Sequence, residues 1–419
     1  MTGALTQAPW ISKIARVFDR AGAPLYLVGG AVRNPLMGLP ISDVDVCGPT
    51  RPEAVCAFCQ GGPVHAVLRA AHFGTVELHV TDDDGVRHMA EYTTFREDSY
   101  RCGHKPDAVR FTTELPVDAL RRDFSVNALY QQVHPEGLGP VIDPTGGLTD
   151  MAKGVLHTVT PDPDQVLRDD GLRILRAVRF QSELDLQPTP SLIDSLKRHA
   201  SLLGDIACER LRDEWEKILK ADLRYPTLRR RRPATASGLL LLDGIGAWPC
   251  LAGNLPFDPA AARATERLPL GVAPRMALLF HQAGPDKVLD VMRRLRFSNV
   301  QAQAAAAYVR AVQGGYSLFD AAQMGLETLQ TAAAIRRALG QNDQELLGLL
   351  AALADKPLSL KELAVGGDDL RPLFVQKGVA MKQMGPLLHD LWRFTIEARY
   401  PNQRQALLDA ASGWLNRLK

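Results

Sequence analysis

Residues 25–46, LYLVGGAVRNPLMGLPISDVDV, constrain this chain more than any other stretch. An apolar run ends in Gly29-Gly30, a helix-like segment carrying Arg33 follows, and Asp43 and Asp45 flank Val44. Glycines beside a helix start let backbone approach a phosphate and offer it free N–H groups. If residues 44–47 form a strand, Asp43 and Asp45 share a face, because side chains alternate with period 2. Two carboxylates side by side repel, so the pair draws a cation between them, most simply Mg²⁺. Metal-binding carboxylates next to a phosphate cradle describe a nucleotidyl-transfer site. Taken alone, Asp-x-Asp reads more simply as a tight turn before a solvated acidic strand end.

At 419 residues the chain is long enough for more than one domain. Its 46% hydrophobic and 23% charged residues are those of an ordinary soluble globular protein. No apolar run approaches membrane-spanning length, and MTGALTQAPW lacks the basic and apolar regions of a signal peptide, so a cytoplasmic protein without a membrane partner is expected. A net charge of +2 neither demands nor excludes a nucleic-acid partner, since a local basic surface decides that. The one dense basic run is Arg229 to Arg232, by default a solvated loop and more sharply a phosphate contact. Cys56-Ala-Phe-Cys59 has a metal-like spacing but no second pair at a zinc-ribbon distance, so a helix with two reduced cysteines is expected.

Up to about Pro144 short strands and helices mix. Strands are predicted at Leu25–Val28, Val44–Cys47, Thr75–Val80 and Met89–Thr94. Asp143-Pro144-Thr145-Gly146-Gly147 is a turn cluster and a plausible domain hinge. Beyond it the chain turns helical. Residues 165–183 carry apolar side chains near helical spacing, and Val300–Val312 and Glu345–Ala354 are further helices. No internal repeat is evident.

Further chemistry accumulates downstream. Glu91 lies on a predicted strand and can bring a third carboxylate towards Asp43 and Asp45. Arg121-Arg122-Asp123-Phe124 with Asn127 places guanidinium, carboxylate and amide groups together on a predicted helix. Arg122 suits a phosphate or ribose oxygen, and Asp123 or Asn127 can hold a sugar hydroxyl. Asp170, Arg173, Arg176 and Arg179 recur every three residues, on adjoining parts of one helix face. An exposed ion-pair ladder is the simpler reading of each cluster, but it leaves the excess of arginine unexplained, and a polyphosphate accounts for it.

GGAVR with Asp43-Val44-Asp45, EYTTFR, RRDFSVNA, DPTGG, DDGLRILRAVRF and ERLRDEWEKIL occur in that order between Leu25 and about Lys220. In this the chain resembles the class II tRNA nucleotidyltransferases, the bacterial CCA-adding enzymes and their poly(A) polymerase relatives. SLKELAVGGDDL and PNQRQALLDAA look like the tail of the Bacillus-type CCA-adding enzymes. The resemblance implies an α+β, polymerase-β-like head over residues 1–145, followed by an all-helical neck (146–225), body (226–355) and tail (356–419). It implies addition of C, C and A to tRNA 3′ ends from CTP and ATP, with Mg²⁺ on Asp43 and Asp45 and Glu91 as a third carboxylate. Gly29, Gly30 and Arg33 would hold the triphosphate, and Arg122, Asp123 and Asn127 the ribose side. Asp170 and Arg173 would read the base edge, Arg176 and Arg179 would line the pocket, and residues 207–219 would brace the neck. The partner would be the tRNA acceptor stem and 3′ end.

Three departures matter. Asp169 stands where the family usually has glutamate. Residues 97–111 resemble the flexible loop of CCA- and A-adding enzymes but lack a glycine near Ser99. This disfavours CC-only addition and leaves an A-adding specialist open, while Phe73-Gly74-Thr75-Val76 has the CCA-adding form and weighs against a poly(A) polymerase. His281 precedes Gln282 where phosphohydrolase-bearing relatives have Asp, and His389-Asp390 is isolated. An amide is a poor metal-bridging ligand, so no phosphohydrolase activity is expected. A catalytically dead RNA-binding protein is the alternative outside the class, and the intact aspartate pair argues against it.

Overall fold

The strand just before Gly29 lies inside a seven-stranded sheet, between the Asp45 strand and a later one. In the computed structural model, which describes residues 8–100 and 108–418, the chain forms two compact units, one up to Phe257 and one from Asp258. The first unit holds the sheet, ordered β3-β4-β5-β2-β1-β8-β9. Its strands are β1 (Tyr26–Val28), β2 (Asp45–Gly48), β3 (Val64–Ala70), β4 (Thr75–Thr81), β5 (Arg87–Thr94), β8 (Tyr130–His134) and β9 (Gly137–Ile142). β2 and β5 run parallel and the other neighbours antiparallel. A separate hairpin, β6 (Arg96–Ser99) with β7 (Ala108–Phe111), carries the ends of the expected flexible loop; residues 101–107 lie outside the described residues.

Alternation decides the two faces. Val76, Leu78 and Val80 of β4 and Ala90 and Tyr92 of β5 are buried beneath helices α1 (Pro9–Arg20) and α3 (Pro52–Cys59). In α1 the inward residues Ile11, Ile14, Ala15 and Phe18 fall at helical spacing, and truncating Phe18 to alanine would cost about 3–5 kcal/mol. The opposite face is covered only in part. Cys47, Val28 and Tyr130 pack with Phe95 and with Ala119 of α4 (Leu115–Leu120), which leaves Asp45 and Glu91 exposed. Between β1 and β2 runs α2 (Gly30–Leu36).

β2 begins at Asp45 rather than Val44, so the same-face argument for Asp43 and Asp45 does not hold as a strand argument. Asp43 precedes the ladder, whose first bond is the Glu91 N–H to the Val44 carbonyl at 3.1 Å. The turn at residues 143–147 is held by hydrogen bonds. Asp143 accepts the N–H groups of Gly147 and Leu148 at 2.8 and 2.9 Å, capping α5 (Gly147–Lys153). Gly147 sits where a Cβ would overlap the Ser125 carbonyl.

The single helix expected over 165–183 is two helices, α6 (Pro163–Asp169) and α7 (Leu172–Leu184). Asp170 is extended between them, and a Cβ on Gly171 would lie 2.9 Å from the Leu202 Cβ. That close approach favours glycine and breaks the helix. α8 (Pro190–His199) and α9 (Cys208–Leu219) follow. A later helix, Ala234–Gly244, crosses α7 where Gly238 abuts Ser182 with no room for a side chain.

The second unit is helical throughout its described residues. The predicted helices appear as Asn299–Gln313 and Gln344–Leu353, the first opened by a Ser298–Gln301 capping box. His281 is buried with Nδ1 3.0 Å from the Leu278 carbonyl, a packed helix-end residue. Among the described residues no helix is long and apolar enough to cross a membrane.

Candidate nucleotidyl-transfer site

Strand register lays out the acidic part of the site. Glu77 of β4 pairs with Glu91 of β5, and Glu91 pairs with Asp45 of β2, so three carboxylates form one row across the sheet. Asp43 is 82% exposed, accepts the Ser42 hydroxyl at 3.0 Å and has an Arg224 nitrogen 3.9 Å away. Although both side chains reach solvent, surrounding protein strips part of their hydration, which raises the Asp45 carboxyl above its ordinary range; Arg122 opposes this and Asp43 reinforces it. The same loss of hydration, then Asp45 and Glu77, raises Glu91.

Among the described residues no three His, Cys, Asp or Glu side chains converge as a ready-made metal cage. The donor set nonetheless fits a hard cation. Mg²⁺ is commonly held by one or two carboxylates and completed by water and substrate phosphates, and a cation relieves the mutual repulsion of Asp43 and Asp45.

Beside the row opens a cleft of about 470 Å³, lined by Phe73, Thr75, Arg96, Asp98, Tyr100, Arg121, Arg122, Asp123, Asn127, Asp170, Arg173, Arg176 and Arg210. Residues 121–127 are not on a helix as expected. They follow α4 in a turn that ends in a short 3₁₀ segment, Ser125–Asn127. This turn is fixed by buried Asp118, which accepts from Arg121 Nε at 2.7 Å, Arg122 Nη2 at 3.0 Å and the Tyr130 hydroxyl at 2.8 Å. Burial opposes ionisation of Asp118, but the two arginines outweigh it and hold the carboxyl at about 2.

Asp123 links the turn after α4 to α7. It accepts Arg176 Nε at 2.6 Å, Asn127 Nδ2 at 3.2 Å and the Phe124 N–H at 2.9 Å. Burial again works against ionisation, and Arg176 with Arg173 brings the carboxyl down to about 2. Asn127 Oδ1 accepts Arg33 Nη1 at 2.9 Å. Gly29, at φ +64°, lies where a Cβ would come within 3.1 Å of that same Oδ1.

The arginines expected on one helix face therefore divide. Arg176 points to Asp123 in the cleft, whereas Arg179 turns to Glu214 at 2.7 Å and Glu183 at 3.5 Å. Arg33 is buried, bonded to Asn34 and stacked 5.1 Å from the Phe180 ring centre. Burial, with Arg179 nearby, lowers it to about 10. Neither Arg33 nor Arg179 lines the cleft. Arg173 donates to the carbonyls of Val166 at 3.0 Å and Arg121 at 2.5 Å. Asp170, expected on a helix, instead precedes one; its Oδ1 accepts the Leu172 N–H at 3.1 Å and its Oδ2 accepts Arg210 Nη2 at 2.7 Å.

Sequence reasoning treated Arg210 as a brace and missed its place beside Asp170. It also missed Tyr100, whose hydroxyl burial raises to about 12, and the ion pair Arg96–Asp98 at 2.9 Å. Their positions on β6 and just after it were the available signal.

Comparison with known proteins agrees with this geometry. Residues 25–157 match the poly A polymerase head domain, 185–230 the probable RNA and SrmB-binding site of polymerase A, and 274–411 the putative tRNA nucleotidyltransferase domain 2. The chain is 31% identical to the CCA-adding enzyme of Lactiplantibacillus plantarum over 97% of both chains. It is 30% identical to that of Geobacillus stearothermophilus over 94% of both. The crystal structure of the Bacillus stearothermophilus CCA-adding enzyme in complex with CTP superposes with a TM-score of 0.76, at 28% identity and 98% coverage of each chain. The Thermotoga maritima CCA-adding enzyme complexed with tRNA shares the fold, with a TM-score of 0.64 at 18% identity and coverage of 97% of this chain and 94% of that one. An acidic row on a mixed sheet, an arginine-lined cleft to which α7 contributes, and likeness over nearly the whole length thus identify this chain as a nucleotidyltransferase of the CCA-adding enzyme family.

Proposed function

We propose that this protein completes tRNA 3′ ends in the cytoplasm, adding C, C and A from CTP and ATP with release of pyrophosphate. The observation that carries this reading is the single cleft in which Asp170 of the neck faces Arg122, Asp123 and Asn127 of the head, beside the Asp45–Glu91 row. Residues 1–145 act as head, 146–225 as neck, 226–355 as body and 356–419 as tail.

Family membership implies a divalent cation. Asp43 and Asp45, with Glu91 alongside, would hold it as Mg²⁺, which when bound neutralises phosphate charge and eases loss of the primer hydroxyl proton. The rest of the work is positioning. Arg122 and Arg176 place positive charge over the cleft, where a triphosphate needs it. Asp123 and Asn127 present acceptors and a donor to the ribose. The primer 3′-oxygen bonds to the α-phosphorus, and the bond to the β-phosphate oxygen breaks.

Base choice falls to Asp170. Its carboxylate accepts from the exocyclic amine that C and A share, and a guanidinium donates to their ring acceptor. G and U present a protonated ring nitrogen and a carbonyl, which repel that pair. Arg173 is the expected donor; its bonds to two carbonyls fix it, and Arg210 stands 2.7 Å from Asp170 as a second guanidinium at the same edge. tRNA is met through phosphates and shape, since one enzyme serves many tRNA sequences.

Purified protein incubated with tRNA ending at the discriminator base, at C, or at CC, with labelled CTP or ATP, tests the reading. C incorporation on the first two and A on the third is expected. A addition alone would make it an A-adding enzyme, and no incorporation would make it an RNA-binding protein.

A further inference from the structure

We infer that His79 and Met89, on the open strip of the head sheet, seat the terminal nucleotide of the primer; this rests on the proposed nucleotidyl transfer. In-line displacement puts the attacking oxygen and the departing pyrophosphate on opposite sides of the α-phosphate. The nucleotide cleft takes one side, with Thr75 at the start of β4 and Arg96 just beyond the end of β5 among its lining residues. In register, Thr75 pairs with Thr93, Glu77 with Glu91, and His79 with Met89.

Alternation sets these six side chains on one face, opposite the buried Val76, Leu78, Val80, Ala90 and Tyr92. Three levels follow along that face, each about 7 Å from the next. They are the cleft edge Thr75–Thr93, the carboxylate row Glu77–Glu91–Asp45, and the pair His79–Met89. β2 runs parallel to β5, so the chain enters the row at Asp45 from the Met89 side. With the nucleotide at the first level and the carboxylates at the second, the third is the side from which a 3′-hydroxyl reaches the row.

The residue types suit that occupant. Met89 is 50% exposed and contributes nothing to the core on the other face. The His79 ring is 41% exposed and held by Glu77 at 3.0 Å, itself anchored by Arg69 at 2.8 Å. A primer ends first in the discriminator base, then in C, then in C again, so its seat cannot depend on one base's hydrogen-bonding edge. A thioether adapts to different shapes, and an imidazole stacks on any base because every base has a π-face.

The test uses full-length protein carrying Met89→Ser and His79→Ala, singly and together. Steady-state KM is measured for tRNA ending at the discriminator base, C or CC, and CTP affinity is measured calorimetrically without primer. The double variant should raise primer KM about ten-fold or more on all three primers, with CTP affinity and melting temperature unchanged. Met89→Leu and His79→Phe, which keep an apolar or stacking surface, should restore the primer KM. An unchanged primer KM, or a matching loss of CTP affinity, overturns the seat. Wild-type protein that extends no primer refutes the transferase reading itself, whereas active wild type with indifferent variants refutes the seat alone.

Discussion

Asp123 and Arg176 stand 53 residues apart in the chain, yet Nε and Nη2 of the arginine both reach Asp123 Oδ2, at 2.6 and 2.5 Å. One lies in the turn after α4 and the other within α7, so the pair belongs to the cleft and to the packing of α7 on that turn at once. Asp123→Asn keeps the shape but leaves Arg176 without its counter-charge. A loss of about 3 kcal/mol of folding stability is expected, together with a rise in CTP KM of about ten-fold or more. Urea unfolding and CTP titration check the two effects; a variant equal to wild type in both would refute the shared role.

Acid should loosen the same region. Asp118 and Asp123 titrate near 2 in the fold against 3.8 in ordinary surroundings, since their arginine neighbours outweigh burial. As pH falls the unfolded chain takes up these protons first, so the stability they contribute is full above about pH 4 and is lost towards about pH 2. The contribution is about 2 kcal/mol for each group. Guanidinium unfolding at about pH 5 and about pH 3 should give a shallower pH dependence in Asp118→Asn than in wild type. Equal slopes would exclude the linkage.

How much of this was legible in the sequence depends on the distance over which each contact acts. The strands around Gly29, Asp45 and Glu91 were readable because apolar alternation is local, and their bounds moved by one or two residues at most. Gly171 could have signalled the break before α7, but its reason is Leu202, 31 positions on. The division of Arg176 from Arg179 was hidden, because it depends on Asp123 and Glu214, which approach from different elements. Spacing alone cannot distinguish an arginine that faces a substrate from one that faces a buried glutamate.

Removing the carboxylates should separate binding from chemistry. Asp45→Asn is expected to lower kcat by about 10³ while CTP still binds the cleft. Chelation of divalent ions should stop incorporation by wild type, and Mg²⁺ should restore it. Incorporation that persists in excess chelator would exclude a metal role for Asp43 and Asp45.

Base selection offers a graded test. Asp170→Ala should raise UTP and GTP incorporation relative to CTP by about ten-fold or more. Arg210→Ala removes the guanidinium 2.7 Å from that carboxylate and should give an intermediate loss of selectivity. Competition assays with all four nucleotides read both; unchanged selectivity in Asp170→Ala would remove it from the base edge.

The basic run at 229–232 is not one surface. Arg230 donates to the carbonyls of Ser182 and Ala221, and Arg232 holds Asp185, while Arg229 and Arg231 are exposed. Arg229→Ala with Arg231→Ala should therefore raise tRNA KM and flatten its salt dependence without lowering the melting temperature. Arg230→Ala with Arg232→Ala should lower the melting temperature. The reverse pattern would move the tRNA contact elsewhere.

The bonds from Arg33 to Asn127, and from Arg176 to Asp123, bear on how such a chain can diverge. Residues that would shape the nucleotide's berth in the proposed reaction also clamp two parts of the chain together, so a lineage cannot drift towards a new base preference there without also risking its ability to fold. Novelty has cheaper routes where no clamp is at stake, at the solvent-facing His79 and Met89 and along the outward arginines. Relatives that have changed their product are therefore expected to differ mainly in those places and to keep the clamp.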